Sequence, residues 1–433
     1  MKRILALALT ACLALTAFAS CGAKAPSSVS AAPSSAPSDE KVKLVYWSMW
    51  NEAEPQGAVI KEATAAYMKA NPNVTVEINW QGRELNKVIG TKLAAGEAID
   101  IFDGPANTVL PAAIDHVADL TALFDKTYDT TNGKAYKDVV LNAVVETTKT
   151  YSKEGEINGV PYQPFVQCIF YNKDHFKAAG ITELPKTWPE FLAVCEKLKA
   201  KGYAPLTCDD AYMPALPGYY LARAKGAEWV SKLTKENSDE MWKDPAVLEM
   251  AKAYADMAKK GYFHENITSN VFPAGQQDLA NGTVSMYLNA TWLVNELMSV
   301  TGPDFPWGQM HFPTVEGGEG KANSSNYASS VFAINKASAN IEEAFKFTVY
   351  LTTGEWDGKM AEKTFGVPAG LDSVWPVQLA DAKDVFVSID EWIPWSGGLE
   401  DNGDLVATIR TAFTELIGGQ LTPEKFVARM LEM

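Results

Sequence analysis

The sequence predicts an α/β fold divided between two lobes. Short runs with strand periodicity alternate with amphipathic segments of helical period from residue 42 onward, the signature of a sheet covered by helices. Roughly 390 residues follow residue 40, more than one simple core accommodates. The chain shows no repeat of solenoid period, which excludes a stacked array.

At the N-terminus, Lys2 and Arg3 precede an almost wholly apolar stretch over 4–18, and small residues then lead into Cys21. This is a secretory leader, since the apolar stretch is too short for a comfortable bilayer crossing. "FASCG" resembles a lipobox, with Phe18 where leucine is usual. Residues 1–20 are therefore read as a signal peptide and Cys21 as the lipidation site, which makes the protein membrane-anchored but not spanning. Residues 21–40, "CGAKAPSSVSAAPSSAPSDE", are mostly Ala, Ser and Pro, with too little apolar bulk to offset ordering entropy. They are expected to form a tether with an end-to-end distance of about 25 Å as a flexible coil. An anchor, such a tether and few cysteines suit the surface of a Gram-positive cell, with the periplasm as the alternative.

The folded part opens with "KVKLVYWSMW", a hydrophobic run that breaks at Trp47 and Trp50. "AVIKEATAAYMKANP" places Ile60, Ala63, Thr64 and Tyr67 at helical spacing and stops at Asn71-Pro72. "VTVEINW" alternates apolar and polar residues as a strand does, and "AIDIFDG" predicts a strand ending at Asp103-Gly104. This order predicts a parallel sheet, whose ligands lie beyond the carboxyl ends of the strands. Further on, "QCIFYNKDHF" reads as a strand into a turn, "TWPEFLAVCEKLKAKG" as a helix capped by Thr187, and "YAPLTC" as a short strand. "TVSMYLNATWLVNEL" predicts a strand, a polar loop and a helix, with Asn289 and Trp292 at the junction. "SSVFAINKASANIEEAFKFTVYLTT" predicts a strand and then a helix with Asn340 and Glu343 at capping-box spacing. Two helices joined through "GGQLTPE" close the chain.

The formal net charge is −15, and loss of Lys2 and Arg3 with the leader lowers it by two further units. So acidic a body argues against a nucleic-acid partner, which requires clustered Lys and Arg. Cys168, Cys195 and Cys208 have no zinc-like pairing, and a body this size needs no Cys195–Cys208 bridge. No metal and no cofactor is expected. "EGGEGKANSS" is a loop whose glycine spacing is wrong for binding phosphate. The four histidines share no helix turn, "PWSGG" lacks the nucleophile-elbow glycine, and adjacent acids such as Asp209-Asp210 carry little weight among 53 carboxylates. The chain is therefore read as not an enzyme.

What stands out is tryptophan at expected loop positions: Trp47, Trp50, Trp292, Trp307, Trp375, Trp392 and Trp395. Indole faces offer broad, rigid contact with a polar N–H handle, which suits stacking against sugar rings while carboxylates and amides take the hydroxyls. Asn51, Glu52, Arg83, Asp103, Gln167 and Asp210 fall near them in the inferred topology. Each tryptophan singly is as readily explained by core or interlobe packing.

These segments resemble the extracellular solute-binding proteins of carbohydrate ABC importers, the maltose-binding-protein-like family. The resemblance rests on "KLVYWSMW", "AAYMKANPNVTVEI", "GVPYQPFVQCIFYNKDHFKAAGITELPKTWPEFLAVCEKLKAKG", "GTVSMYLNATW" and "FAINKASANIEEAFKFTVYLTT", and covers nearly all the chain after the tether. It implies a two-lobe periplasmic-binding-protein-like fold of type II, with lobes joined by hinge strands. Lobe 1 would be 41–164 with 326–372 and lobe 2 would be 165–325 with 373–433, with crossings near 164–166, 326 and 371–375. It further implies that Trp292 is a stacking platform and that Asp210 and Tyr212 belong to an acidic and aromatic loop. Trp47, Trp50, Asn51 and Glu52 would occupy the first strand-to-helix loop, Asp103 and Gln167 would face the cleft, and Arg83 would donate to vicinal hydroxyls or pair on the surface. Trp392 and Trp395 would lie in a loop before the final helices. The implied partners are an oligosaccharide and the permease subunits of an ABC importer, with the protein acting as a monomer. The competing expectations are the same fold holding a polar solute such as a polyamine, and a secreted glycoside hydrolase.

Overall fold

The computed structural model describes residues 41–432, so the leader, the tether and the lipidation position Cys21 lie outside the described residues. Eight strands carry the fold: β1 Val42–Ser48, β2 Val74–Trp80, β3 Ile101–Pro105, β4 Val160–Asn172, β5 Ala204–Thr207, β6 Val284–Ala290, β7 Trp307–Met310 and β8 Tyr327–Ile334. They run in the order β2-β1-β3-β8-β4-β6-β5, with β7 also on β4.

The expected strands and helices form, but the sheet is mixed where the strand–helix alternation predicts a parallel one. β1 pairs parallel with β2 and β3, and β5 with β6, while β8 is antiparallel to β3 and β4, and β4 to β6 and β7. The cause is the long β4. Its first half pairs with β8 and its second half with β6 and β7, so one strand serves two groups of neighbours. Within the β8 pairing, just before the changeover at Val166–Gln167, the register shifts between Tyr162 and Phe165, where Gln163 adopts φ 45°. Such a bulge bends the strand and re-aims the side chains beyond it.

Alternation along the strands feeds two hydrophobic cores. Leu44 and Tyr46 of β1, Ile101 and Phe102 of β3 and Phe332 of β8 belong to one, against the buried Ile60, Ala63 and Tyr67 of helix Pro55–Ala70. Ile169, Met286 and Leu288 belong to the other, with Phe191, Leu216, Tyr254 and Phe413 from surrounding helices. Tyr287 and Trp307 point the opposite way and pack with the first core. Cys168, Cys195 and Cys208 are all buried and unbridged.

Helix Trp188–Ala200 opens on the expected capping box, with Thr187 and Glu190 satisfying each other's backbone N–H. Helix Ile341–Thr352 does not: Asn340 makes no side-chain cap, and Glu343 instead accepts from the Tyr67 hydroxyl at 2.6 Å. The strand expected to end at Asp103-Gly104 continues to Pro105. No helix among the described residues is long and apolar enough to cross a membrane.

Candidate ligand-binding site

The expected site residues separate into two groups. The first gathers at the end of β1 around Asp103. Buried Tyr46 and Ser48 share a face of β1, and both donate to Asp103 Oδ2, at 2.7 and 3.1 Å. Tyr162 of β4 donates to the same oxygen at 2.9 Å, and the Met49 N–H donates to Oδ1 at 2.6 Å. Trp50 Nε1 then donates to the Tyr162 hydroxyl at 2.8 Å. Burial raises the Asp103 pKa to about 6, and the hydrogen bonds only partly oppose it.

This geometry corrects several expectations. Asp103 is fully buried with both oxygens occupied, so it braces the β1 loop to β4 and presents nothing to a ligand. Trp50 is buried with its N–H used, and the Arg83 guanidinium covers its ring at 4.2 Å from the centroid. Arg83 forks onto Glu54 with two 2.9 Å bonds and donates to the Met49 carbonyl, which fixes the loop and leaves no free fork for vicinal hydroxyls. Asn51 is held by Glu54 and Glu52 by Lys61, both on the exposed rim. Trp47 lies in the strand on the opposite face from Tyr46, with its ring near Lys92. Trp307 is likewise a buried strand residue with no loop role. The expectation for Gln167 is not contradicted: it is buried with both side-chain amide atoms unpartnered, and its backbone N–H is tied to Asn326 O at 2.8 Å. Trp392 donates its indole N–H to Tyr327 O at 3.0 Å, and Trp375 lines a separate surface groove with Phe365 and Val374.

The second group converges. Trp292 and Trp395 stack with centroids 5.6 Å apart and planes 26° from parallel. Tyr212 meets Trp395 edge-on at 6.2 Å, and Phe165 packs on Trp292 at 4.7 Å. All four rings are partly exposed. Each is placed by local chemistry. Trp292 stands two residues past the end of β6, and the intervening Thr291 bonds its N–H to Val166 O across to β4. Tyr212 ends the short turn Asp210–Tyr212, which is anchored by Asp209. That carboxylate accepts from the Tyr287 hydroxyl at 2.8 Å and from the N–H groups of Gly275 and Gln276. Trp395 begins a tight turn against helix Ala215–Lys225, where a Cβ on Gly218 would fall on the Ser396 carbonyl and Gly397 sits at φ 65°. Two glycines thus let the turn approach closely enough to stack its indole on Trp292.

Polar groups border the rings. Asp210 accepts both its hydrogen bonds on Oδ1, from Ala211 and Phe272 N–H groups, which leaves Oδ2 for another donor. Glu296, an exposed residue, accepts from Gln276 Nε2 at 2.9 Å, and desolvation of its carboxyl raises its pKa. Burial, then the Glu296 charge, raises the Tyr212 pKa, against contacts from Asn289 and Trp292. Asn289 Nδ2 and Gln276 Oε1 are buried without a hydrogen-bond partner of normal geometry. No Lys or Arg contributes to these contacts. Phe165, Asn289, Gln276 and Glu296 escaped the sequence reading of the site. Glu296 alone carries a usable signal, standing one helical turn after Trp292. Among the described residues no group of His, Cys, Asp or Glu is arranged to hold a metal ion.

Comparison with known proteins agrees with this architecture. Residues 50–358 match the family model described as bacterial extracellular solute-binding protein. The multiple sugar-binding protein of Streptococcus mutans is 24% identical over 323 residues, covering 73% of this chain and 72% of the relative. A chitin oligosaccharide binding protein superposes with a TM-score of 0.59 at 23% identity, over 90% of this chain and 98% of that one. RafE, known from Streptococcus pneumoniae, in its raffinose complex gives 0.61 at 20% identity over 90% and 98%. Such low identities speak for the fold alone. That fold is a mixed α/β architecture of two lobes, and with the family match spanning most of its length this chain belongs to the bacterial extracellular solute-binding proteins.

Proposed function

We propose that this protein captures a neutral oligosaccharide on the aromatic surface of Tyr212, Trp292 and Trp395 and delivers it to the permease of an ABC importer. The observation that carries the reading is the convergence of these three partly exposed rings beside Asp210 and Glu296. Rings take the apolar faces of sugars, and carboxylates with an open lone pair take hydroxyl protons. The sugar-binding relatives support the class of ligand. Lobe 1 is taken as 41–164 with 326–372 and lobe 2 as 165–325 with 373–433, with β4 crossing at its bulge. Lobe closure would bury the sugar and strengthen the polar contacts by excluding water. The protein works as a monomer without turnover, tethered outside the cytoplasmic membrane through lipidated Cys21.

A cationic solute such as a polyamine or amino sugar is the second reading. It is favoured by Asp210 and Glu296 standing at the rings with no cation among their contacts. Intrinsic tryptophan fluorescence, titrated with raffinose, chitin oligosaccharides, xylan oligosaccharides and spermidine, separates the two. The expected outcome is a saturable change with one neutral glycan class, lost in Trp395→Ala, with no cleavage products. A response to spermidine alone transfers the site to cations, and released reducing ends would establish a hydrolase.

A further inference from the structure

The aromatic surface does not end at Tyr212. Phe272 meets the Tyr212 ring edge-on at 5.9 Å, yet it is 43% exposed, and Val271 beside it is 67% exposed. Phenylalanine at such exposure on a mobile loop needs no explanation, but this segment is pinned. The Phe272 N–H donates to Asp210 Oδ1 at 3.0 Å, and the Asp210 N–H donates back to Asn270 O at 3.0 Å. Asn270 is itself buried, and its Nδ2 reaches Thr207 Oγ1 at 3.1 Å at the end of β5. The backbone therefore holds an apolar ring in water beside the acid assigned to hydroxyl recognition.

Phe165, Trp292, Trp395, Tyr212 and Phe272 are consequently linked in a single row, with successive centroids 4.7, 5.6, 6.2 and 5.9 Å apart. The row starts at the bulge of β4 and ends at a ring open to solvent. A row of this kind offers successive rings to successive sugar units.

We infer that Phe272 is an outer stacking platform for the far units of a neutral oligosaccharide, so that it sets preference for chain length while the inner rings set binding itself. This rests on the proposed oligosaccharide reading. Val271, on the same exposed segment, widens the apolar surface of that subsite. Asp210 serves both parts, holding Phe272 through Oδ1 and leaving Oδ2 to a hydroxyl.

The test is isothermal titration calorimetry on the intact protein and on Phe272→Ala and Phe272→Tyr, with chitin oligosaccharides and xylan oligosaccharides of two to six units. Affinity of the unsubstituted protein is expected to rise with length in one series. Phe272→Ala should weaken the longest ligand about 3- to 10-fold, the range for loss of one aromatic contact. The disaccharide should change less than about 2-fold, and Phe272→Tyr should retain length preference. Thermal melting of each variant confirms folding, which an exposed side chain should not disturb. An equal loss at every length, or none at any, overturns the outer platform while leaving the saccharide reading intact. Binding of raffinose but of no member of either series overturns the outer platform alone, and failure to bind any of these glycans overturns both.

Discussion

Asp103 shows how a single residue can be placed by the sequence and misassigned by it. Its position on a strand next to Trp47 and Trp50 makes it a plausible cleft carboxylate, because ligands of α/β sheets lie beyond strand ends. What decides its role is two tyrosines 57 and 59 residues away, whose hydroxyls share Oδ2. Burial then raises the pKa to about 6, and Asp357, which accepts the Ala369 and Gly370 N–H groups, is raised to about 6 by burial as well. An unfolded aspartate titrates near 3.9, so the native state binds more protons between roughly pH 4 and pH 6. Through that window these two acids contribute stability that grows as pH falls, while His311, whose pKa burial lowers to about 4, and His175, also lowered by burial, contribute in the opposite sense. Glu54 and Glu190, whose pKa values are lowered, act in the opposite sense only at more acidic pH. In urea unfolding, Asp103→Asn and Asp357→Asn are each expected to shift the stability difference between pH 5 and pH 7 by about 1 kcal/mol toward pH 7, relative to the unsubstituted protein. A pH dependence unchanged in both variants would falsify the assignment of two protonatable buried acids.

Among the elements, two helices begin with similar signals and fold differently at their first turn. Thr187 and Glu190 close a capping box before helix Trp188–Ala200, whereas the Asn340 side chain caps nothing, its backbone N–H donates to Ser338 Oγ and Glu343 accepts from Tyr67 instead. Local spacing was legible in both cases. The competing hydroxyl arrives from a helix 276 residues distant, beyond the reach of any local pattern. Thr187→Ala should cost about 1 kcal/mol of stability, and Asn340→Ala less than about 0.5 kcal/mol. Equal costs by chemical denaturation would mean that the Asn340 side chain caps its helix in solution. The same contrast governs β4. "QCIFYN" reads correctly as a strand, but the preceding "VPYQPF" belongs to it too, and only pairing with β8 makes it one. Its two prolines and the positive φ of Gln163 conceal that continuity in the sequence.

For the whole molecule, the reading of two lobes turns on the bulged β4, on Asn326 beside it and on the segment held by Asp357. Asn326 is tied on both sides, its carbonyl to Gln167 and its Nδ2 to Ile393 O at 2.9 Å. If lobes hinge about these points, ligand binding brings them together. Small-angle scattering with a saturating oligosaccharide should then show a smaller radius of gyration than the free protein. Hydrogen exchange should slow on both sides of the crossings at 164–166, 326 and 371–375. Binding without compaction would leave the aromatic surface as a rigid, open platform and remove closure from the mechanism.

The sequence by itself determined the order of the main strands and helices and the family resemblance, and it offered Asp210, Tyr212, Trp292 and Trp395 among its candidates. These follow from composition, period and local motif, which reside in neighbouring residues. Only the tertiary structure decided that Asp103, Trp50 and Arg83 brace a loop, that the sheet is mixed, and that Phe165 and Phe272 extend the aromatic row. Those outcomes depend on which distant groups satisfy a buried carboxylate, an indole N–H or a strand edge. A polar group leaving water takes whatever partner the fold brings within hydrogen-bonding distance, and sequence separation does not enter that choice.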